Sequence, residues 1–463
     1  MSKEKTLTVV QAYDGAVIDK IPLQDQGTVE SMLTQATSAH RDNKQGLPAY
    51  LRIEILRRLI GLMQMHTDEL AMLIAREGGK PLTDAQIEVT RAINGVELAI
   101  EEIGQLKGTQ IPMDISAAGS GRLAFTVKEP IGVVVAVSAF NHPLNLIVHQ
   151  VIPAVATGCP VIVKPAPDTP LSCLRLVELI HEAGLPEQWC QVCICDLQTA
   201  EKLVTDPRVA FFTFIGSARV GWELRRKLAP GTRCALEHGG AAPVIVAADA
   251  NLERMMPLLV KGGYYHAGQV CVSVQRVFVD NAIKNGFIKL LSTQVKALKV
   301  GNSTDLTTEV GPLIRPAEVD RVEQWVNEAI ESGAECVVGG KRVGKRLYAP
   351  TVLIDPPMDA KVSTQEIFGP VICVYSYDHI EEAINQANAL TVAFQASVFT
   401  QDINRAIHTA QSLDAAAVMI NDHTAFRVDW MPFAGHRTSG LGVGGIPYTM
   451  EEMTQDKLLV INA

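Results

Sequence analysis

Short apolar runs rich in β-branched residues alternate with helix-length segments over most of this 463-residue chain, and no other feature restricts the fold as much. IGVVVAVSA (131–139), VIVK (161–164), QVCIC (191–195) and AFFTFI (210–215) are each followed by a turn and a periodic stretch. A strand buried on both faces reads as a continuous apolar run, so the pattern predicts parallel β-α-β units. A second series, APVIVA (242–247), RVFV (276–279), VICVYS (371–376), QASVFT (395–400) and AAVMIN (416–421), is separated by expected helices at about 253–266, 283–298, 318–332 and 379–388. Two α/β units are therefore expected, with the boundary near Gly239 and Gly240. The first third reads as helical, with apolar residues three and four apart over 49–81 and again over about 84–106. Two segments fit neither series: a polar, strand-like stretch at 113–131 and the terminal KLLVINA. Their alternation suits edge strands that pair outside their own series, with another subunit as one partner.

The formal net charge of -9 argues against nucleic acid or an anionic membrane as the main partner, since both call for a basic face. The N-terminal MSKEKTLTVVQAYDG turns polar too soon for a signal peptide, and no apolar stretch reaches the ~20 residues that span a bilayer. Nine cysteines without regular spacing suit reduced thiols in the cytoplasm. Cys190, Cys193 and Cys195 lie in an apolar run with no second pair to complete a tetrahedral site, so a buried strand is expected there rather than a metal.

Five short elements could carry chemistry, and each also has an ordinary structural explanation. In GQVCVSVQR (268–276) a cysteine sits in a turn between helix and strand, where a thiol can be activated, although most lone cysteines are inert small hydrophobes. In LEHGG (236–240) Glu237 stands beside a flexible backbone at the junction of the units, as a general base or as a surface glutamate before a turn. In FNHPLNL (140–146) Asn141 follows a parallel strand, where an amide can donate to an oxyanion or simply favour the turn. Lys164 ends the strand in VIVKPAPDTP (161–170) and can reach ribose hydroxyls. FIGSARVG (214–221) offers N–H groups to a phosphate, but lacks the full G-x-G-x-x-G spacing.

In this order, with EIFGPV (366–371) and PFAGHRTSG (432–440), the elements resemble the aldehyde dehydrogenase superfamily over nearly the whole chain, and most closely its lactaldehyde and succinate-semialdehyde branch. The resemblance implies a Rossmann-type cofactor domain (1–112 and 132–238), an α/β catalytic domain (239–443) and a small β oligomerisation ribbon (113–131 and 444–463). It implies Cys271 as nucleophile, Glu237 as the base that activates water, and Asn141 with the Cys271 N–H as oxyanion donors. Lys164, Ala166, Pro167, Gly216, Ser217, Glu366 and Phe368 would face the dinucleotide. It further implies a homodimer or homotetramer acting on a small-molecule aldehyde, with no metal.

Several positions depart from the family pattern. His238 stands where leucine is usual, Ala241 follows the glycines of LEHGG, and Ala434 replaces a glycine. Pro167 occupies a position where NAD-preferring members often carry a glutamate, which admits NADP⁺ and leans the reading toward it over NAD⁺, while Asp168 next door weakens that inference. Arg91 and Arg427 align with the substrate funnel, as does Phe433. The pair of arginines, otherwise solvated surface cations, suggests an anionic aldehyde. Succinate semialdehyde is the first candidate, with lactaldehyde and phosphonate- or sulfonate-bearing aldehydes as alternatives. Rival readings are a thiol hydrolase pairing Cys271 with His142 or His266, and a CoA-acylating dehydrogenase, against which Glu237 speaks.

Overall fold

The structure, a computed structural model, describes residues 5–41 and 47–462. Residues 1–4 of the N-terminal segment and Ala463 of the terminal run lie outside these, so the expectations for both ends apply there only to the described part.

The four strands of the first series assemble into one parallel sheet. Its six strands run in the order Gly440–Leu441, Arg233–Glu237, Val209–Ile215, Val133–Val137, Val161–Lys164, Cys190–Val192. Only Gly440–Leu441 is antiparallel, pairing Gly440 with Glu237. Side chains alternate between two cores, as the pleat requires. Val134, Ala136, Val161 and Val163 face helices Ala49–Met65, Leu82–Ile103 and Asn145–Thr157, whereas Val133, Val135 and Ile162 face Gln26–Arg41. Asn145–Thr157 is buried throughout. Each of its Ile and Val side chains contributes roughly 1.5–3 kcal/mol by leaving water, so this helix is a rigid support for whatever stands at its N-terminus.

The second series forms a seven-stranded sheet in the order Glu335–Val338, Thr351–Ile354, Val371–Tyr377, Val274–Asp280, Ala242–Val246, Gln395–Phe399, Ala417–Ile420, parallel except at the first strand. Gly239 and Gly240 lie between strand Arg233–Glu237 of the first sheet and strand Ala242–Val246 of the second.

Three expectations are corrected. The first third is not wholly helical: Thr6–Val10 and Val17–Pro22 form an antiparallel hairpin, their β-branched residues outweighing the short apolar spacing. The run 49–81 is two helices, Ala49–Met65 and Thr67–Gly78, separated where His66 leaves helical geometry. The two leftover segments pair with each other, Arg122–Pro130 against Thr454–Asn462 over a nine-residue ladder, and the first begins at 122 rather than 113. Cys190–Val192 is the expected strand, and Cys190 and Cys193 are buried. No group of three potential metal ligands occurs among the described residues, and no helix there is long and apolar enough to cross a membrane.

Candidate active site

Parallel strands place ligands outside their carboxyl ends. Val133–Val137 leads into Asn141, Val161–Lys164 ends on Lys164, Val209–Ile215 runs into Gly216, and Arg233–Glu237 ends on Glu237. All four positions line one cleft of about 750 Å³, and the second half of the chain contributes Cys271, Glu366, Phe368, Arg427 and Phe433 to its opposite wall. Ala166, Pro167, Ser217 and Arg91 line it too, so every residue expected at the site is brought to the same cavity.

The turn carrying Cys271 is held under strain. His266 and Ala267 have φ of 49° and 55°, and Gly268 follows at 71°, a run that β-carbons disfavour. A side chain at Gly268 would meet the Gly369 carbonyl oxygen at 2.1 Å. Gln269, wholly buried, pins the turn: its Nε2 donates to the His266 and Pro312 carbonyls at 3.2 Å, and its Oε1 accepts from the Ile314 N–H at 2.9 Å. Asn141 Nδ2 donates to the Gln269 carbonyl at 2.9 Å. That contact draws the amide to the thiol turn and leaves its second hydrogen for another acceptor.

Asn141 is itself positioned from behind. Glu88 is buried, accepts from the Leu144 and Asn145 N–H groups at 3.0 and 3.1 Å, and pairs with buried Lys80, which contacts His142 Nδ1 at 2.8 Å. The Lys80 ammonium, with other contacts, holds the Glu88 carboxyl far below the usual range despite burial. Burial, with Lys80 beside it, pushes His142 down to about 4. His266 is buried with neither ring nitrogen bonded. No hydrogen bond joins either imidazole to Cys271 among the described residues, so the thiol hydrolase reading loses its base.

Around the thiol, Val270, Val272, Phe394 and Phe433 form a small apolar cluster. Burial pushes the Cys271 thiol well above its ordinary range, reinforced by the Glu237 carboxylate and opposed by Arg427. Burial also raises Glu237, again opposed by Arg427. A carboxyl raised in this way is a better proton acceptor than a solvated one. Its backbone is fixed from the far end of the chain: the His238 N–H donates to the Ser439 carbonyl, and Ser439 Oγ to the Gly239 carbonyl, both at 2.9 Å. The departure at His238 is accommodated by Gly221, and its Nδ1 bonds the Gly216 carbonyl at 2.9 Å.

The arginines differ from expectation. Both reach the cleft, but Arg91 is committed: its Nε and Nη2 donate to the two oxygens of Asp429 at 3.1 and 2.6 Å. Asp429 also accepts from His149 Nε2 at 2.7 Å and Asn145 Nδ2 at 3.3 Å. Burial, with Arg427 nearby, pushes His149 down to about 4, so the ring is neutral and its Nδ1 accepts from Arg427 Nη2 at 3.4 Å. Arg427 stacks 3.5 Å from the Phe433 ring centroid, forms no ion pair among the described residues, and keeps its Nε buried without a partner. Sequence reasoning missed Asp429, His149 and Gln269. The signal available was two polar residues, Asn145 and His149, one turn apart in an otherwise apolar run.

The opposite end fits a dinucleotide. Glu366 is half-buried, its Oε1 is enclosed and unpartnered among the described residues, and desolvation pushes its carboxyl up to about 8. Such an acceptor calls for hydroxyl donors, as a ribose supplies. Gly239 lies so close to it that an added Cβ would stand 1.6 Å from Oε1. Gln275 bonds the Ile367 N–H at 2.9 Å and fixes the loop, while Phe368, at φ 47°, meets Phe140 edge to face at 5.8 Å. Gly216 and Ser217 precede helix Ala218–Lys227, and no side chain caps its N–H groups. Lys164 is buried and, among the described residues, donates only to the Pro165 carbonyl, at 3.4 Å.

A model of the aldehyde dehydrogenase family matches residues 1–459. The chain is 39% identical over 436 residues to 3-sulfolactaldehyde dehydrogenase of Priestia aryabhattai, covering 94% of this chain and 91% of the relative. It superposes on aldehyde dehydrogenase 21 of Physcomitrella patens in complex with the reaction product succinate, with a TM-score of 0.96, 34% identity, and 100% and 96% of the two chains covered. The NADP complex of glyceraldehyde-3-phosphate dehydrogenase GapN from Methanocaldococcus jannaschii gives a TM-score of 0.94 at 35% identity, with 100% of each chain covered. A half-buried thiol on a strained turn, lining one cleft with the Glu237 carboxylate, agrees with these likenesses: the chain belongs to the aldehyde dehydrogenase family and is an NAD(P)⁺-dependent enzyme that oxidises aldehydes.

Proposed function

We propose that the preferred substrate is a small aldehyde carrying one negative charge, with succinate semialdehyde first, oxidised to its carboxylate at Cys271. The observation that carries this reading is the uncommitted Arg427 guanidinium. Among the ionisable groups beside the thiol, Arg91 and Asp429 pair with each other and His149 is neutral, so Arg427, which feels the Glu237 carboxylate through space but forms no ion pair among the described residues, is the cation left to meet an anionic group. A partly buried cation without a carboxylate partner loses hydration that a bound anion can replace. A carboxylate or sulfonate on the aldehyde would pair with this guanidinium, whereas a neutral aldehyde leaves it without a partner. The succinate complex and the sulfolactaldehyde relative support the same charge class.

In this reading Cys271 attacks the carbonyl carbon after losing its proton to Glu237. Asn141 Nδ2 and the Cys271 N–H donate to the oxyanion, a type of contact whose loss costs ~3–4 kcal/mol of transition-state stabilisation. The nicotinamide, when bound, supplies the hydride acceptor that converts the thiohemiacetal to a thioester. Glu237, once it has passed the thiol proton to solvent, takes a proton from water, which attacks the thioester and releases the carboxylate and the Cys271 thiolate. Lys164 and Glu366 would hold the two riboses, Gly216 and Ser217 the pyrophosphate, with Ala166, Pro167 and Phe368 packing alongside. The domain partition above, with 1–112 and 132–238 carrying the cofactor and 239–443 the catalytic residues, belongs to the same proposal. So does a homodimer or homotetramer, supported by the exposed Leu458, Val460 and Ile461 of the ribbon.

Succinate semialdehyde, 3-sulfolactaldehyde, lactaldehyde, glyceraldehyde 3-phosphate and butanal, each with NAD⁺ and NADP⁺, form the test. The two monoanions are expected to give the highest kcat/KM, and Cys271→Ala to abolish turnover. Equal or better turnover of butanal or lactaldehyde overturns the charge reading; undiminished turnover in Cys271→Ala overturns the mechanism.

A further inference from the structure

One ion pair crosses the cleft at the far end from Cys271. Asp168 lies in the turn that follows Lys164, on the half carrying the six-stranded sheet. Arg315 immediately precedes helix Pro316–Glu331, on the half carrying Cys271. Arg315 Nη2 stands 3.0 Å from Asp168 Oδ2, the two side chains are 48% and 26% exposed, and both line the cleft beside Lys164 and Pro167. Among the described residues Arg315 has one other carboxylate within 4 Å, Glu318, at 3.9 Å.

From this geometry we propose that Arg315 is the 2′-phosphate reader of the dinucleotide, bridging from Asp168 to that phosphate in NADP⁺, while Asp168, held by Arg315, accepts the free 2′-hydroxyl of NAD⁺. The proposal rests on the reading that Lys164 lies at the adenine ribose. A carboxylate at that ribose would ordinarily select NAD⁺, because it accepts the hydroxyl and repels a phosphate. Here the repulsion is cancelled in advance by a cation from the opposite wall. A guanidinium carries five N–H donors in a planar fork, so Nη2 can remain on Asp168 while the other donors meet the phosphate. Exposed ion pairs of this kind are weak, about 0–1 kcal/mol, so reorienting the fork costs little. Lys164, buried without a carboxylate partner, supplies a second positive charge on the same side. One pair of residues then serves both cofactors, and the half of the chain that carries the thiol takes part in choosing between them.

Isothermal titration calorimetry of the full chain with NADP⁺ and NAD⁺ tests this in wild type, Arg315→Gln, Arg315→Lys and Asp168→Asn, alongside kcat/KM for each cofactor. Loss of a charge-assisted phosphate contact is expected to lower the ratio Kd(NAD⁺)/Kd(NADP⁺) about tenfold or more in Arg315→Gln, with partial recovery in Arg315→Lys. Asp168→Asn is expected to move the ratio in the opposite direction, by tightening NADP⁺ and weakening NAD⁺. A ratio that stays within twofold of wild type in both Arg315→Gln and Asp168→Asn overturns the proposal; if one of them fails to fold, the other decides. Failure of wild type to bind either dinucleotide sinks the reading of the cleft itself, a separate result.

Discussion

The two ends of the cleft hold cations in opposite ways. At the thiol end Arg427 is enclosed, stacked on Phe433 and touched by a neutral imidazole, with no carboxylate paired to it. At the adenine end Arg315 stands half in water and already holds Asp168. A charge in a dry site keeps its full field and imposes one requirement on any ligand, whereas a solvated pair is screened and can rearrange. On the two proposals above, a fixed requirement on the aldehyde is paired with a permissive one on the cofactor. Arg91 sharpens the contrast, since Asp429 converts it from a second anion anchor into scaffold.

The largest expected effect lies in that scaffold. Asp429→Ala removes the carboxylate shared by Arg91, His149 and Asn145, and leaving a buried cation unpaired is expected to cost about 3–5 kcal/mol of unfolding free energy. Urea denaturation measures it, and a loss under about 1 kcal/mol would show that the network is too hydrated to fix Arg427. Next comes Arg427→Leu, for which the ratio of kcat/KM for succinate semialdehyde to that for butanal is expected to fall roughly ten- to a hundredfold. An unmoved ratio would mean that the enclosed cation is not the anion anchor and that the two ends do not differ as described. The smallest effect separates them by screening. Raising salt from about 0.05 to 0.3 M is expected to weaken NADP⁺ severalfold while changing the KM for succinate semialdehyde less than twofold. Equal responses would place both arginines in comparable solvent.

Much of this was legible before any coordinates. The two series of apolar runs correspond to the two parallel sheets, because burial on both faces leaves a local, continuous signature. Cys271, Glu237 and Asn141 stand in short motifs at strand ends, and the family resemblance drew them to one cavity. The N-terminal hairpin was lost because short strands with mixed polarity imitate helical spacing. The ribbon strands were recognised as strands, but not as each other's partner, since a separation of more than 320 residues leaves no local trace.

What the sequence determined by itself is the inventory: the α/β class, the family, and Cys271 and Glu237 as the candidates for nucleophile and base. What only the tertiary structure decided is the state of each charge. Arg91 and Arg427 read alike along the chain, yet one is neutralised by Asp429 and the other is not. Asp168 reads as a deterrent to NADP⁺, yet Arg315, almost 150 residues later, stands against it. Electrostatic energy depends on distance and burial, and residues remote along the chain set both, so only the folded chain shows which charge faces the ligand uncompensated.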